Sequence, residues 1–241
     1  MCTVSYIPFR DHKYFTTNRD EKITRKPAGT PSLKVHEGTL LIYPVDGEAG
    51  GSWIVLKNNG DAAVLLNGAF LCHVSEPPYR KSRGLILLDL ITHDRPSYKF
   101  SKTDLAEIEP FTVILLEKNS LYEFRWDGNE KFCRQLPSIR PHIWSSATLY
   151  DDLTVKKREQ KFAELLNRKP NLTHLDIMRF HQYEMNGEKD IDKKLNEDNL
   201  IETISITSIH LTTDRASMVY EDLRNKLKKE INIILQEALM E

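Results

Sequence analysis

The sequence predicts an α+β protein in which helices lie between two groups of short strands. The first half of the chain is mostly β-branched or aromatic runs bounded by Gly, Asn, Asp and Pro. Apolar residues at helical spacing follow, and strand-like runs return after them. A chain of 241 residues buries roughly 70–75% of its unfolded surface, which suffices for one large domain or two small ones without a disulfide or metal.

The first group of strands is recognised from apolar runs joined by turn residues. Strands are predicted over residues 2–7, 13–17, 39–43, 52–56 and 62–66. The segment Arg10-Asp11-His12 fits a turn between the first two strands. The segment 58–61, Asn-Asn-Gly-Asp, predicts a hairpin turn because Asn and Gly tolerate positive φ.

Helical spacing and a second group of apolar runs define the rest of the chain. Helices are predicted over 83–92, 103–108, 154–167 and 173–183, the second of them ended by Pro110. Strands are predicted over 111–116, 121–126, 131–135 and 142–146, with a hairpin over 204–220. The charged stretch 187–199 is predicted to be a solvated loop, and 222–241 a terminal amphipathic helix.

Composition excludes several classes of partner. Lys plus Arg is 34 and Asp plus Glu is 35, so the net charge of -1 provides no field to hold nucleic acid or an anionic membrane. The longest nearly unbroken apolar stretch, 85–91, is far shorter than the ~20 residues that cross a bilayer. We expect no nucleic-acid partner and no transmembrane segment, and the sequence leaves oligomerisation open.

The start of the chain and its cysteines predict a cytoplasmic protein. Charged residues within the first twenty positions leave no apolar segment for a secretory signal. The three cysteines form no C-x-x-C pair, as expected in a reducing compartment.

Cys2 is the residue that most suggests chemistry. Initiator Met is removed when the second side chain is small, so the mature chain is expected to begin with this cysteine. Its α-amine, with an ordinary pKa of ~7.7–8.0, is partly neutral near neutral pH and can accept the thiol proton. One residue would then provide both nucleophile and base. The alternative is a small buried residue that opens a strand.

Five ordered blocks of sequence, together with the Met1-Cys2 start, resemble the NRDE family, to which the transport-and-Golgi-organisation-two proteins belong. The blocks are Asn18-Arg19-Asp20-Glu21, Arg25 with Pro27, Gly50-Gly51-Ser52-Trp53, Leu66-Asn67 and Ser82-Arg83-Gly84. The resemblance is specific over residues 1–95 and weaker as far as residue 149.

The resemblance implies a single domain, 1–241, with the N-terminal nucleophile hydrolase fold. This fold is a four-layer αββα sandwich with two mostly antiparallel sheets between helical layers. Its cysteine members with a similar start, the bile salt hydrolases and penicillin V acylases, cleave amide bonds other than peptide bonds. A small acylated substrate, cleaved through a thioester, is therefore implied. The alternative is a non-catalytic carrier or trafficking protein for a hydrophobic ligand such as haem or acyl-coenzyme A, with which family members have been connected.

The resemblance also implies the catalytic residues. Cys2 would be the nucleophile, Arg19 and Asp20 would hold its thiol and amine in place, and the Asn67 amide would donate to the oxyanion. Two alternatives stay open. Arg19 and Asp20 can form a structural ion pair, and Asn67 with Gly68 can form a turn.

Asn18, Trp53 and Ser146 are the predicted substrate-binding residues. Trp53 could instead belong to the core, as large aromatic residues in strands often do. Ser146 stands where related chains tend to carry asparagine, although a hydroxyl can still donate one hydrogen bond.

A second departure from the bile salt hydrolases concerns spacing. Their catalytic arginine and aspartate lie three positions apart, whereas Arg19 and Asp20 are adjacent and successive strand residues face opposite sides. No H-E-x-x-H, C-x-x-C-H or G-x-G-x-x-G pattern occurs, so neither a metal nor a cofactor is expected.

Overall fold

The structure, a computed structural model, describes residues 3–169, 171–184 and 201–236. The first strands are β1 (Thr3–Phe9), β2 (His12–Lys22), β3 (Gly29–His36), β4 (Thr39–Val45), β5 (Ile54–Lys57) and β6 (Ala62–Asn67). Helices α1 (Arg83–Ile91) and α2 (Pro96–Lys102) follow. The next elements are β7 (Phe111–Glu117), β8 (Ser120–Trp126), β9 (Lys131–Leu136), β10 (His142–Ser145), α3 (Asp152–Arg168) and α4 (His174–Arg179). A π-helical turn, Phe180–Glu184, extends α4, and the last strands are β11 (Ile201–Leu211), β12 (Arg215–Asp222) and β13 (Leu227–Ile234).

The strands form two antiparallel sheets. Sheet 1 has the order β10-β1-β2-β11-β12-β13, and sheet 2 is a seven-stranded meander from β3 to β9. Strand β1 is an interior strand of sheet 1, next to the edge, because it pairs with edge strand β10 on one side and with β2 on the other. Thr3 lies opposite Ser145 and Asn18.

Strand alternation produces the layers. Val4 and Phe15 of sheet 1 and Ile54 and Val64 of sheet 2 belong to one buried cluster between the sheets. The opposite face of sheet 2 packs on α1 and α2, and the opposite face of sheet 1 packs on α3 and α4. The result is the predicted αββα sandwich.

Most of the predicted elements are confirmed. The two predicted groups of strands correspond to β1, β2, β4–β10 and the hairpin of β11 and β12, and three of the helices to α1, α3 and α4. Arg10 and Gly60 adopt positive φ in the predicted turns. Ser82, Asp151 and Thr173 cap the three helices with their side-chain oxygens, which explains where each begins.

The predicted terminal helix over 222–241 is wrong, because Leu227–Ile234 is strand β13. Leu227 and Ile231 fit both a helical and a strand period. Ile231, Ile233 and Leu235 alternate, however, and pack against the core between the sheets. Pairing with β12 along its whole length stabilises the strand.

Two further differences concern short elements. The helix predicted over 103–108 lies earlier, as α2, where Pro96 provides a preorganised first position. Strand β3 was not predicted, since Pro31 lies within it. It is an edge strand, where a missing N–H is tolerated.

Two of the predictions lie outside the described residues. These are the solvated loop over 187–199 and the position of Cys2. No helix in the described ranges is long and apolar enough to cross a membrane.

Candidate active site

A cleft of about 580 Å³ opens where β2, β4 and β6 end and where β5 and α1 begin. All five sequence blocks contribute to its walls. The contributing residues are Arg19, Glu21, Arg25, Gly51, Ser52, Trp53, Asn67, Ser82, Arg83 and Gly84. Segments far apart in sequence therefore converge on one site.

Arg19 lies at the centre of this cleft. Its side chain is 2% exposed and faces sheet 2, where its guanidinium lies 4.6 Å above the Trp53 ring. Its Nη2 donates to Asp46 and lies 3.7 Å from Glu21. Its Nη1 has no acceptor among the described residues. Trp53 belongs to the core between the sheets and also lines the cleft, and its role in substrate binding stays a prediction.

Asp46 holds the arginines of the cleft in place. Arg25 donates to it through Nη2 at 2.9 Å and through Nε at 3.1 Å, and the Ala49 N–H donates at 2.8 Å. Burial by itself raises the pKa of Asp46. Hydrogen bonds from Arg25 and Ala49 and the charges of Arg19 and Arg25 outweigh burial and hold the pKa at about 2. Sequence reasoning missed Asp46, whose signal is a carboxylate directly after a strand and before Gly50-Gly51.

Two glycines bring the start of α1 against the start of β5. The Ser52 N–H donates to the Gly84 carbonyl at 3.2 Å. A Cβ on Gly51 would lie 2.4 Å from the Gly84 carbonyl carbon, and one on Gly84 would lie 2.8 Å from the Ser52 oxygen. Only glycine at both positions allows the two backbones to approach this closely.

Asn67 is the last residue of β6 and lines the cleft. Its side-chain amide has no hydrogen-bond partner in the part of the chain described, so it can donate to a ligand. Gly68 adopts a φ of 78° and ends the strand, so the turn alternative describes the backbone while leaving the amide available. Ser146 is fully buried and donates to the Asn67 carbonyl at 2.9 Å. It thus supports Asn67 and does not line this cleft.

Asp20 lies on the opposite face of β2 from Arg19. It accepts hydrogen bonds from Tyr150 and Thr203, and among the described residues Arg19 pairs with Asp46 and Glu21 instead. The alternative of an Arg19–Asp20 ion pair is therefore wrong. Adjacent strand residues point to opposite faces, so Arg19 lines the cleft and Asp20 does not.

Asn18 shares the helix-facing side with Asp20. Its Nδ2 donates to the His181 carbonyl at 2.9 Å, and its Oδ1 bonds to His181 Nδ1. His181 Nε2 in turn lies 2.7 Å from Ser5 Oγ. Burial lowers the pKa of His181 to about 3, helped by the charge of Arg158 and opposed by Asp20. Asn18 thus fixes β2 against the helical layer and does not line the cleft.

The start of β1 is anchored on the same side. Arg158 of α3 donates to Thr3 Oγ1 and lies 3.8 Å from the ring centroid of Tyr150. Sequence reasoning missed both Tyr150 and Arg158. Neither belongs to a recognised block, and their proximity to β1 depends on how α3 packs.

A second cleft, of about 640 Å³, lies beside β10 and the start of α3. It is slightly larger, but of the residues in the five blocks it contains only Leu66. We therefore place the candidate site at the cleft of Arg19.

The sequence of the chain matches a family model described as Transport and Golgi organisation 2 over residues 1–229. The chain belongs to this family. No curated protein sequence matches it significantly.

Solved structures similar to this chain include a bile acid hydrolase and an acid amidase. One is a mutant of the conjugated bile acid hydrolase from Clostridium perfringens, with a TM-score of 0.62, 8% identity, and 97% of this chain and 92% of that chain covered. The other is a Caenorhabditis elegans ortholog of N-acylethanolamine-hydrolyzing acid amidase, with a TM-score of 0.57, 14% identity, and coverage of 86% and 92%. At these identities the similarity establishes the N-terminal nucleophile hydrolase fold.

Proposed function

We propose that the protein is an N-terminal cysteine amidohydrolase that cleaves a non-peptide amide C–N bond of a small acylated substrate. The observation that carries the proposal is the convergence of all five blocks on one cleft beside the start of β1. Thr3 lies opposite Asn18, and Arg19 is the next residue of β2.

The proposal requires Cys2 to face this cleft. Alternate residues of a strand share a face, and Val4, two positions later, faces the core between the sheets. It also requires removal of Met1, which frees the α-amine of Cys2. The positive charge of Arg19 then favours the thiolate and lowers the thiol pKa.

Hydrolysis would take two steps. The Cys2 α-amine accepts the thiol proton, and the sulfur attacks the substrate carbonyl carbon while Asn67 donates to the developing oxyanion. The C–N bond breaks as the amine leaves with that proton, and a thioester forms. Water, deprotonated by the α-amine, then attacks the thioester, releases the carboxylic acid and restores the thiol. Asp20, on the opposite face of β2, accepts hydrogen bonds from Tyr150 and Thr203 and would act as a positioning residue for this strand.

The alternative is a carrier for a hydrophobic ligand such as haem or acyl-coenzyme A. The cleft lining supports it less well, because the porphyrin ring or acyl chain of such a ligand gains most from apolar walls and many of the lining residues are charged.

The test is amine release from a panel of small N-acyl amides. The wild-type protein and a Cys72→Ser control should both hydrolyse at least one member, and Cys2→Ser should lose at least 100-fold in rate. A variant with two residues inserted between Met1 and Cys2 keeps the thiol but not the free amine, and should lose activity similarly. Hydrolysis that survives Cys2→Ser contradicts the mechanism, and ligand binding without any Cys2-dependent hydrolysis favours the carrier.

A further inference from the structure

The cleft contains two buried hydrogen-bond donors without acceptors. Arg19 Nη1 and Trp53 Nε1 are shielded from solvent and make no hydrogen bond within the described residues. Both side chains line the cleft. Buried donors are nearly always paired in native proteins, so two such donors in one cleft indicate an acceptor that arrives with a ligand.

The other tryptophans show that the unpaired indole is specific to this cleft. Trp126 Nε1 donates to the Ile108 carbonyl at 2.8 Å, and Trp144 Nε1 donates to a Glu123 carboxylate oxygen at 2.7 Å. All three tryptophans are buried to a similar degree. All three lie within the described ranges, and Trp53 is the one whose indole N–H has no hydrogen-bond acceptor there.

The two donors belong to one stacked pair. The Arg19 guanidinium lies 4.6 Å above the Trp53 ring, and its bond to Asp46 through Nη2 fixes its orientation. Arg19 Nη1 carries two N–H groups and the indole carries one, so the pair can donate to both oxygens of a carboxylate.

The charge of the lining favours an anion. Cations outnumber anions five to three: Arg19, Lys22, Arg25, Lys81 and Arg83 against Glu21, Asp46 and Glu109. The exposed Lys22 ammonium pairs with no carboxylate in the described part of the chain. This local excess is notable in a chain whose net charge is -1.

We propose that Arg19 and Trp53 bind a carboxylate group of the substrate, so that the protein selects acylated compounds that also carry a carboxylate. Assigning the carboxylate to the substrate rests on the proposed function, whereas anion binding by the pair does not. Trp53 is then a specificity-determining residue.

The test uses protein labelled with ¹⁵N at tryptophan, which gives three indole N–H signals. Trp53→Phe keeps the ring and removes the N–H, so it identifies the Trp53 signal. Sodium hexanoate is titrated against hexanamide, its uncharged analogue, and against methyl phosphate. We expect hexanoate to move the Trp53 signal downfield and saturably, while the Trp126 and Trp144 signals and the two control titrations show no such change.

Thermal stabilisation by hexanoate provides a second readout. Trp53→Phe should weaken apparent hexanoate affinity by about tenfold, the effect of losing one hydrogen bond to a charged group. An equal response to hexanamide, a stronger response to methyl phosphate, or a silent Trp53 signal at saturating hexanoate overturns the proposal.

The same titration of Cys2→Ser protein separates the two proposals. The Trp53 response should persist there. If amide hydrolysis depends on Cys2 but hexanoate does not shift the Trp53 signal, the carboxylate site is wrong and the thiol mechanism stands. If hexanoate shifts the Trp53 signal but the Cys2→Ser variant still hydrolyses amides, the thiol mechanism is wrong and the carboxylate site stands.

Discussion

Asp46 determines the geometry of the cleft at the residue scale. It holds Arg19 and Arg25 in one ion cluster, and its side chain is 12% exposed. Replacing it with asparagine keeps the shape but leaves two guanidinium groups without their shared carboxylate. We expect Asp46→Asn to lower the free energy of unfolding by about 3 kcal/mol, measured by urea denaturation.

Asp214→Asn is the matched control for this substitution. The Asp214 side chain is 71% exposed, so its loss should change stability by less than about 0.5 kcal/mol. Equal unfolding midpoints for the two variants would show that Asp46 does not hold the cleft together.

Arg19 and Asp20 illustrate how far sequence reasoning reaches at this scale. Alternation along β2 predicts that the two side chains diverge. It does not reveal which one enters the cleft, because that depends on which face of β2 sheet 2 covers. The partners of the two residues, Asp46 and Tyr150, come from distant segments and carry no local signal.

At the scale of elements, contact between Gly51 and Gly84 joins β5 to α1. A methyl group on Gly51 would press on backbone atoms, which move only if the elements separate. We expect Gly51→Ala to cost about 1–3 kcal/mol of unfolding free energy, measured by thermal denaturation. The cleft should also widen, so bound hexanoate should stabilise this variant less.

Gly29→Ala, in edge strand β3, is the control. A Cβ there meets the Val45 Cβ at 3.7 Å, an ordinary contact, and Gly29 has no positive φ. Equal unfolding temperatures for the two alanine variants would show that the close contact of Gly51 with Gly84 does not stabilise the fold.

The apolar pattern of β13 explains why the sequence predicts a helix where the structure has a strand. Apolar residues at 227 and 231 are four apart, which a helix and a strand place equally well on one face. The β-branched residues Ile231 and Ile233 favour a strand. Pairing with β12 then outweighs the local helical pattern.

At the scale of the whole molecule, the predicted αββα order was enough to bring the five blocks together. Four blocks lie at or next to the end or start of a strand or helix, and Arg25 with Pro27 lies in the connection from β2 to β3. The two packed sheets place these segments around one cleft. The helix-facing network of Arg158, Tyr150 and His181 was not predictable, because α3 and α4 have several possible placements against β1 and β2.

Buried His181 makes stability depend on pH. Its pKa is about 3 in the folded protein, below the ordinary ~6.5 of the unfolded chain. Below pH 6.5 the unfolded chain therefore binds a proton that the folded protein does not, and acid favours unfolding. As the pH falls from about 6 to 4, this residue should lower the free energy of unfolding by up to ~1.4 kcal/mol per pH unit.

Burial also lowers the pKa of His174, to about 4, which acts in the same direction. Urea denaturation at several pH values measures the slope of stability against pH. His181→Gln should give a shallower slope than wild type, whatever its absolute stability. Equal slopes for the two proteins would show that His181 does not cause the loss of stability in acid.

The most direct test of the central claim is the reactivity of Cys2. Cys72 and Cys133 are exposed, so a Cys72→Ser, Cys133→Ser background leaves Cys2 as the single thiol. Intact mass reports whether Met1 is removed, and alkylation by iodoacetamide from about pH 6 to 9 gives the thiol pKa. The account predicts that Met1 is absent and that the apparent pKa lies below the ordinary ~8.5. Retention of Met1, or an apparent pKa at or above ~8.5, would contradict the N-terminal nucleophile mechanism.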